Sequence, residues 1–277
     1  MTDWLLAHEP AIRLSVFLGV FVAVAAWEVL SPRRTLVVGR LARWPHNIGI
    51  VVLNTVVARL LFPAGAVGIA ALADSKGVGL LNILAPPFWV KAVAAFLLLD
   101  LAIYLQHVLF HAVPALWRLH RMHHADLGFD VTTGARFHPI EIVLSMIIKA
   151  VVVAGLGAPV VAVILFEVAL NATAMFNHAN ARLPAGLDRV LRLVVVTPDM
   201  HRVHHSVVPD ETNSNFGFNL PWWDRLFGTY RAQPMAGHAA MTIGIEAFRE
   251  PADLRLDKML VQPFKGAAGH YPLARGD

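Results

Sequence analysis

Residues 100–124 read DLAIYLQHVLFHAVPALWRLHRMHH, and they join the end of an apolar stretch to a dense set of histidines. The apolar stretch begins at Phe88, and a helix that crosses a bilayer needs about 20 such residues. His107 and His111 are four residues apart, so a helix carries both on one face near its end. This segment therefore predicts a membrane-spanning helix that ends in a histidine-lined site.

Two further histidine clusters have the same spacing, H-x-x-H-H. The first is His120, His123 and His124, and the second is His201, His204 and His205. One helical turn aligns the first histidine of each cluster with the pair that follows it. Together with His107 and His111, eight imidazoles converge from three short helical segments. One such histidine is more often an ordinary polar residue, but the repeated pattern favours a metal site.

The composition is that of a membrane protein. Hydrophobic residues make up 57% of the 277, charged residues only 15%, and the mean hydropathy is +0.58, which is too apolar for an ordinary soluble domain. The net charge of +4 lies in arginines between apolar stretches, which argues against nucleic acid and for loops beside anionic headgroups. There is no cysteine, so a metal must be held by nitrogen or oxygen.

The apolar stretches predict an all-α integral membrane bundle of about three full spans and a helical hairpin, with a histidine-rich helical cap. The stretches are Ala11–Leu30, Ile48–Leu72, Phe88–Phe110, Ile140–Leu156 and Pro159–Phe176. Arg59 and Pro63 interrupt the second stretch, and residues 73–87 are predicted to be a loop. Residues 1–277 are expected to form a single domain with a motif-bearing core at 100–230 and a peripheral cap or tail at 235–277.

Charge asymmetry predicts the orientation. Residues 1–10 contain acids and no Lys or Arg, unlike a cleavable signal peptide. The basic loop from Arg33 to Arg43 is expected in the cytoplasm, which places the N-terminus outside. Counting the spans from there places every histidine cluster on the cytoplasmic side of the membrane. If the protein is bacterial, the expected membrane is the cytoplasmic membrane.

Four other residues are candidates for supporting roles. Asp100 and Tyr104 share a helical stripe with His107 and His111, and Asp100 is placed to accept an imidazole N–H. Asn171 is a candidate support or weak ligand, although a polar contact between helices is nearly as good an explanation. His138 precedes Pro139 and is open to three roles: ligand, donor to a ligand, or helix cap.

In their order and spacing, these clusters resemble the fatty acid hydroxylase/sterol desaturase superfamily of membrane di-iron oxygenases. The resemblance runs from Asp100 to Tyr230 and includes the three histidine clusters, the segment RFHPIE at 136–141 and the closing segment NFGFNLPWWDRLFGTY at 215–230. Some hydroxylase members carry a second H-x-x-x-H where this chain has His178 followed by Arg182.

The resemblance implies two irons in a histidine cage and O2 as co-substrate. The implied reaction is hydroxylation or desaturation of a membrane lipid such as a sterol or a fatty acyl chain. The implied iron ligands are His107, His111, His120, His123, His124, His178, His201, His204 and His205. Without a fused cytochrome b5-like segment, the electrons are expected from a separate donor, of ferredoxin or cytochrome b5 type with an NAD(P)H reductase. The oligomeric state cannot be read from the sequence.

Two other classes of protein remain open on the residues alone. A histidine-rich metal-binding or transport protein would carry ligands at the bilayer midplane, and a b-type haem carrier would carry paired histidines on facing spans. A zinc metalloprotease is disfavoured because the chain has no H-E-x-x-H motif.

Overall fold

The structure is a computed structural model that describes residues 2–273, and in this part of the chain it contains helices and no strand. The first eight helices are α1 (Thr2–Leu30), α2 (Arg40–Leu61), α3 (Gly65–Ser75), the short α4 (Leu80–Leu84), α5 (Phe88–Ala112), α6 (Pro114–His124), α7 (Pro139–Leu156) and α8 (Val160–Asn177). Short helices follow: α9 (Ala185–Leu191), α10 (Pro198–His204), α11 (Pro209–Thr212), α12 (Trp222–Leu226), α13 (Gly237–Ala240) and α14 (Leu256–Met259). Single 3-10 turns lie at Thr133–Ala135, Pro251–Leu254 and Gln262–Phe264.

Five segments are long and apolar enough to cross a membrane, which confirms the predicted all-α, multi-pass class. They are Ala7–Leu30, Arg40–Leu84, Phe88–Ala112, Pro139–Leu156 and Val160–Asn177. Large apolar side chains face outward along these segments, for example Leu60 at 76% exposure and Val151 at 67%. In water such a surface would be unfavourable, and in a bilayer it contacts lipid tails.

The second segment is broken where the sequence predicts an interruption. α2 ends before Phe62 and Pro63, and α3 starts at Gly65 with a φ of +57°. Pro63 has no N–H to continue the helical ladder, and it restricts the residue before it. The prediction of a loop over residues 73–87 was wrong in part, because α3 continues to Ser75 and α4 occupies Leu80–Leu84.

The α7–α8 hairpin turns at Gly157, at the end of the bundle away from the histidines. Gly157 has a φ of +64°, the left-handed conformation that favours glycine. Gly79 packs directly against it: a Cβ added at Gly79 would lie 2.2 Å from the Gly157 amide nitrogen. This close approach fastens the α3–α4 connection onto the hairpin turn.

Apolar side chains fill the space between α3, α5, α7 and α8. Fully buried members include Ala70, Ala95, Val153, Val163 and Phe166. Small residues allow the helices to approach closely, as is usual between membrane helices.

Glu167 brings charge into this bundle, and it is paired. One carboxylate oxygen lies 2.9 Å from Lys149 Nζ on α7, and the other lies 2.9 Å from Arg13 Nη1 on α1. Arg13 also contacts Glu9 at 2.6 Å. Ionisable groups at membrane depth are costly unless paired, so this cluster joins α1 to the hairpin.

A buried ionic network attaches α2 to the loop that follows α6. Arg43 binds both oxygens of Asp126 at 2.7 Å and one oxygen of Asp130 at 2.6 Å, with all three side chains fully buried. Gly128 passes over this guanidinium so closely that an added Cβ would lie 2.4 Å from Arg43 Cζ. The network fixes this loop against α2.

The C-terminal strap, residues 241–273, closes over the histidine end of the bundle. Arg121 on α6 donates to the carbonyl of Gln262 at 2.7 Å, and Trp117 donates to the carbonyl of Ala268 at 3.0 Å. The Tyr271 ring stacks on Trp117 at 5.3 Å, and the Leu273 amide donates to the carbonyl of His111 at 3.0 Å. These contacts hold the strap against the two helices that carry the first histidines.

Candidate metal centre

Nine buried histidines form two adjacent groups. His107, His111, His120, His124 and His204 make up the first group, and His123, His178, His201 and His205 make up the second. Within each group, one ring nitrogen from every histidine lies within 4.8 Å of all the others. We call them the five-histidine group and the four-histidine group. The ring centroids of His124 and His205, one from each group, are 4.6 Å apart.

The distances between ring nitrogens suit ligands of a common metal ion. Nε2 of His107 lies 3.1 Å from Nε2 of His120, and Nε2 of His178 lies 3.2 Å from that of His201. Two nitrogens each about 2.1 Å from one metal are separated by roughly 3 Å. Other ring nitrogens are buried without a hydrogen-bond partner, including Nε2 of His111, His124 and His204. An orphaned buried nitrogen is unfavourable, so the donor set fits metal ions.

One loop orients three histidines of the five-histidine group. The Nδ1–H of His107 donates to the carbonyl of Phe216 at 2.7 Å, and that of His204 donates to the carbonyl of Ser214 at 2.7 Å. The Nδ1–H of His111 donates to the side-chain oxygen of Asn213 at 3.1 Å. These bonds fix the tautomer that leaves Nε2 free as the inward-facing ligand atom.

A carboxylate orients a fourth member. Glu141 Oε1 on α7 accepts from His120 Nδ1 at 2.7 Å, and both side chains are buried. Carboxylate–histidine pairs of this kind are characteristic supports of metal-binding imidazoles. Glu141 belongs to the segment RFHPIE at 136–141, and the sequence alone predicted no role for this carboxylate. The feature that could have revealed the role of Glu141 is its position, a carboxylate two residues after Pro139 in the first turn of an apolar helix.

His178 lies at the centre of the four-histidine group. Its Nε2 lies 3.2 Å from the Nε2 atoms of His123, His201 and His205. Its Nδ1 lies 2.7 Å from the carbonyl oxygen of Ala174, which accepts the Nδ1–H. Gly134 makes room for this arrangement, because an added Cβ would lie 2.4 Å from that same carbonyl oxygen.

Aromatic rings enclose both groups. Phe137 stacks on His123 at 4.6 Å, and Phe218 contacts His107 at 5.1 Å. Phe129 packs on His178 at 5.5 Å and on His205 at 5.1 Å. These rings keep bulk water away from the imidazoles and give the centre an apolar wall.

Burial keeps the imidazoles outside the membrane-spanning segments neutral. Desolvation lowers the pKa of His120 to about 3 and the pKa of His178 to about 3. It lowers the pKa values of His123, His124, His201, His204 and His205 well below 6.5 in the same way. A neutral imidazole has a lone pair to offer, as a metal ligand requires.

Asp100 and Tyr104 lie beside the centre, but their partners differ from those expected. Asp100 does not accept an imidazole N–H: it accepts from Asn219 Nδ2 and Trp223 Nε1, both at 2.8 Å. That expectation was wrong because the indole and amide of the closing segment fill the space around the carboxylate. The Tyr104 hydroxyl lies 2.9 Å from that of Thr229.

Thr229 connects Tyr104 to the histidine-orienting loop through Asp224. The Thr229 hydroxyl donates to Asp224 Oδ1 at 2.7 Å. The same carboxylate accepts the amide of Phe216 at 2.8 Å and that of Gly217 at 2.9 Å. Burial raises the pKa of Asp224 to about 6. Asp224 therefore holds the backbone whose carbonyl accepts from His107.

The structure keeps three other residues away from both groups. His138 caps α7: its Nδ1 accepts from the Ile140 amide, and its Nε2–H donates to the Leu260 carbonyl. Asn171 was predicted to support or weakly bind a metal, but it is exposed on α8 and belongs to neither group. Arg182 is exposed as well, four residues after His178.

Comparison with known proteins finds similarity to lipid hydroxylases and monooxygenases. Residues 92–229 match the family profile described as fatty acid hydroxylase. The chain is 27% identical to an ornithine lipid hydroxylase of Rhizobium tropici over 79% of its own length and 67% of that protein. It is 28% identical to the human alkylglycerol monooxygenase and 30% identical to that of Danio rerio. Those matches cover 50% and 49% of this chain, but only 30% and 29% of the monooxygenases. No solved structure matches significantly.

Proposed function

This chain belongs to the fatty acid hydroxylase superfamily, and from that membership we propose that it hydroxylates an aliphatic C–H bond of a membrane lipid with O2. By name, its relatives are an ornithine lipid hydroxylase and alkylglycerol monooxygenases. Hydroxylation is favoured over desaturation because the relatives are named hydroxylase and monooxygenase, and neither is named a desaturase.

The observation that carries the proposal is the division of nine buried histidines into two groups. We propose that the five-histidine group holds one iron and the four-histidine group a second. Imidazole accepts several transition metals, but two neighbouring nitrogen-rich sites in a family of oxygenases favour iron. Bound iron supplies the redox chemistry with O2 that no side chain provides.

The side chains of this chain perform the remaining tasks. Glu141 and the carbonyls of Phe216 and Ser214 hold imidazole protons on Nδ1, so Nε2 stays unprotonated and oriented. Phe129, Phe137 and Phe218 exclude water, which protects a reactive site from side reactions. An apolar wall also suits a lipid chain held beside the centre.

Asp100 and Tyr104 act in this proposal as positioning residues. Asp100 holds Asn219 and Trp223, and Tyr104 holds Thr229, so both anchor the closing segment that carries the Phe216 carbonyl. Neither is assigned a direct contact with iron.

Orientation and electron supply are proposed on charge and family grounds. Arginines in the α1–α2 loop favour the cytoplasmic side for the histidine end, with the N-terminus outside. Two electrons for each O2 come from a separate donor of ferredoxin or cytochrome b5 type, reduced by NAD(P)H.

Metal analysis and lipid mass spectrometry test the proposal together. Protein purified from iron-supplemented cells should contain two irons per chain. Lipid extracts from expressing cells should contain a species with one additional oxygen atom, and this species should depend on O2. His204→Ala and His178→Ala should each lower the iron content and abolish the product, whereas the exposed His270→Ala should change neither.

Two outcomes would contradict this function. One is full iron retention in both buried-histidine variants. The other is an iron-loaded protein that yields no oxygenated lipid but accumulates metal in proteoliposomes, as a transporter does. A product that has lost two hydrogen atoms would keep the enzyme class and replace hydroxylation by desaturation.

A further inference from the structure

A cavity of about 250 Å³ lies on the histidine side of the bundle, between the α1–α2 loop and the C-terminal strap. We call it the loop cavity. The α1–α2 loop contributes Arg34 and Val37, and the strap contributes Thr242 and Arg249. Gly128 and Phe129 form part of its wall.

The loop cavity is positively charged. Arg34 donates to the carbonyl of Met241 at 2.8 Å, and Arg249 donates to the carbonyl of Ile245 at 2.9 Å. A guanidinium carries five N–H groups, so each arginine keeps donors beyond those used on the backbone. Among the described residues that line the cavity, none is acidic. Nearby Arg33 and Arg202 differ, since both pair with Asp199.

The cavity adjoins the ends of two candidate membrane spans. Its loop joins two candidate spans, one ending at Leu30 and the next beginning at Arg40. Large apolar side chains beside it face outward, with Leu30 at 83% exposure, Val37 at 79% and Leu41 at 92%. Such residues enter the edge of the bilayer. The anions concentrated at that depth are lipid headgroups.

Phe129 separates the loop cavity from the metal centre. One residue thus lines the cavity and also packs against His178 and His205, at 5.5 Å and 5.1 Å between ring centroids. Arg202 lies over the Phe129 ring at 5.1 Å from its centroid. A headgroup in the cavity is therefore one aromatic ring away from the four-histidine group.

We propose that the loop cavity binds the anionic headgroup, a phosphate or a carboxylate, of the lipid on which the enzyme acts. Arg34 and Arg249 supply the charge-assisted hydrogen bonds. The small, concave shape suits a headgroup and not the broad surface of an electron-donor protein. The inference rests on the proposed function only where it calls the bound lipid the substrate.

The absence of cysteine provides a direct test. Thr242→Cys introduces one thiol at the exposed rim of the cavity, and Asp257→Cys introduces a control thiol on exposed α14 beside α2. Iron-loaded protein is placed in nanodiscs of phosphatidylcholine alone, or of phosphatidylcholine and phosphatidylglycerol in equal amounts. A water-soluble maleimide should label Cys at position 242 roughly tenfold more slowly in the anionic discs. The control thiol reports any general effect of surface charge.

Charge-removing variants complete the experiment. Arg34→Gln with Arg249→Gln should abolish the protection, while Arg34→Lys with Arg249→Lys should retain most of it. Equal labelling in both kinds of disc overturns the proposal, as does protection that survives the double glutamine variant. Protection by soluble glycerol 3-phosphate in phosphatidylcholine discs assigns the cavity to a free phosphate instead. Protection only after adding an acidic electron-donor protein assigns it to that protein. Labelling needs no turnover, so failure of the oxygenase function alone would leave this result intact.

Discussion

Glu141 Oε1 lies 2.7 Å from Nδ1 of His120, and this contact ties the start of α7 to the five-histidine group. It is the one carboxylate within hydrogen-bond distance of these nine imidazoles in the described part of the chain. The carboxylate supports His120 in the tautomer whose Nε2 faces the other histidines.

Glu141→Gln should weaken metal binding with little loss of fold. The amide can still accept from Nδ1, but it lacks the negative charge that raises the basicity of the imidazole. Loss of such a partner typically lowers metal affinity or activity by about 10–100-fold. Competition with a chelator measures the affinity, and the exposed Glu246→Gln is the control. Unchanged chelator resistance would refute the role given to Glu141.

Asp224→Asn should loosen the loop that orients His107. In the wild type, the backbone amides of Phe216 and Gly217 donate to the two oxygens of the Asp224 carboxylate. In the variant, the side-chain NH2 group replaces one of these oxygens and leaves one backbone amide without an acceptor. An unsatisfied buried donor costs about 1–3 kcal/mol. Thermal unfolding in detergent should detect this loss, together with a lower iron content. The exposed Asp257→Asn should alter neither, and a wild-type iron content in Asp224→Asn would be inconsistent with the orienting role.

Gly134→Ala tests the close packing behind His178. An added Cβ meets the Ala174 carbonyl oxygen at 2.4 Å, so the end of α8 has to shift. Overpacking of this kind typically costs about 1–3 kcal/mol, and it should displace His178 from its partners. The matched control is Gly155→Ala, since nothing lies within 4 Å of a Cβ there. Iron analysis should find a deficit in Gly134→Ala alone; equal iron in both variants would contradict the prediction.

Glu167→Gln should destabilise the membrane bundle without touching the histidines. It leaves Lys149 without its carboxylate partner at 2.9 Å, and breaking a buried pair costs about 3 kcal/mol. Lys149→Met should be milder, because Arg13 still pairs with Glu167. Unfolding by SDS titration in mixed micelles ranks the two variants. If Lys149→Met proves the more damaging, Glu167 does not hold the bundle in the way proposed.

His238 predicts a pH dependence of stability. Burial lowers the pKa of this histidine to about 4 in the folded protein, against 6.5 for an ordinary histidine. Between these values the unfolded chain binds more protons than the folded one, so stability falls as the pH falls from 6.5 toward 4. The contribution is at most about 1.4 kcal/mol for each pH unit.

His238→Gln removes that titration. The difference in the free energy of unfolding between wild type and variant should grow in the variant's favour as the pH is lowered through this window. A constant difference across it would show that His238 does not titrate as described. The opposite sign would show that its contact with Asp199, at 3.6 Å, dominates instead.

The sequence predicted the spans and the histidine clusters because both depend on local patterns. Helical spacing alone places His107 with His111, which share the five-histidine group. It did not predict that His204 lies in that group while His201 and His205 lie in the four-histidine group. The hairpin was predicted from two successive apolar stretches, Ile140–Leu156 and Pro159–Phe176, and it turns at Gly157 in the left-handed conformation. These features need no knowledge of distant residues.

The partners of the histidines could not be predicted, since they come from far along the chain. Phe216 serves His107 through its backbone carbonyl, and a carbonyl leaves no mark on residue type. Asp100 shares the helical stripe of the ligands, but the stripe could not show that Trp223 and Asn219 occupy its oxygens. For His138, the choice among three roles also depended on the Leu260 carbonyl, which accepts from Nε2 and lies 122 residues further along the chain.

The C-terminal strap has a consequence for biosynthesis. His107 and His111 emerge from the ribosome well before Asn213, Phe216 and Leu273, which orient or cover them. At about 5–20 residues per second, that interval is on the order of ten seconds. During that time the helices enter the membrane while their imidazoles have no fixed orientation. The imidazoles therefore acquire their final orientation only after the strap has been synthesised and closes over the histidine end of the bundle.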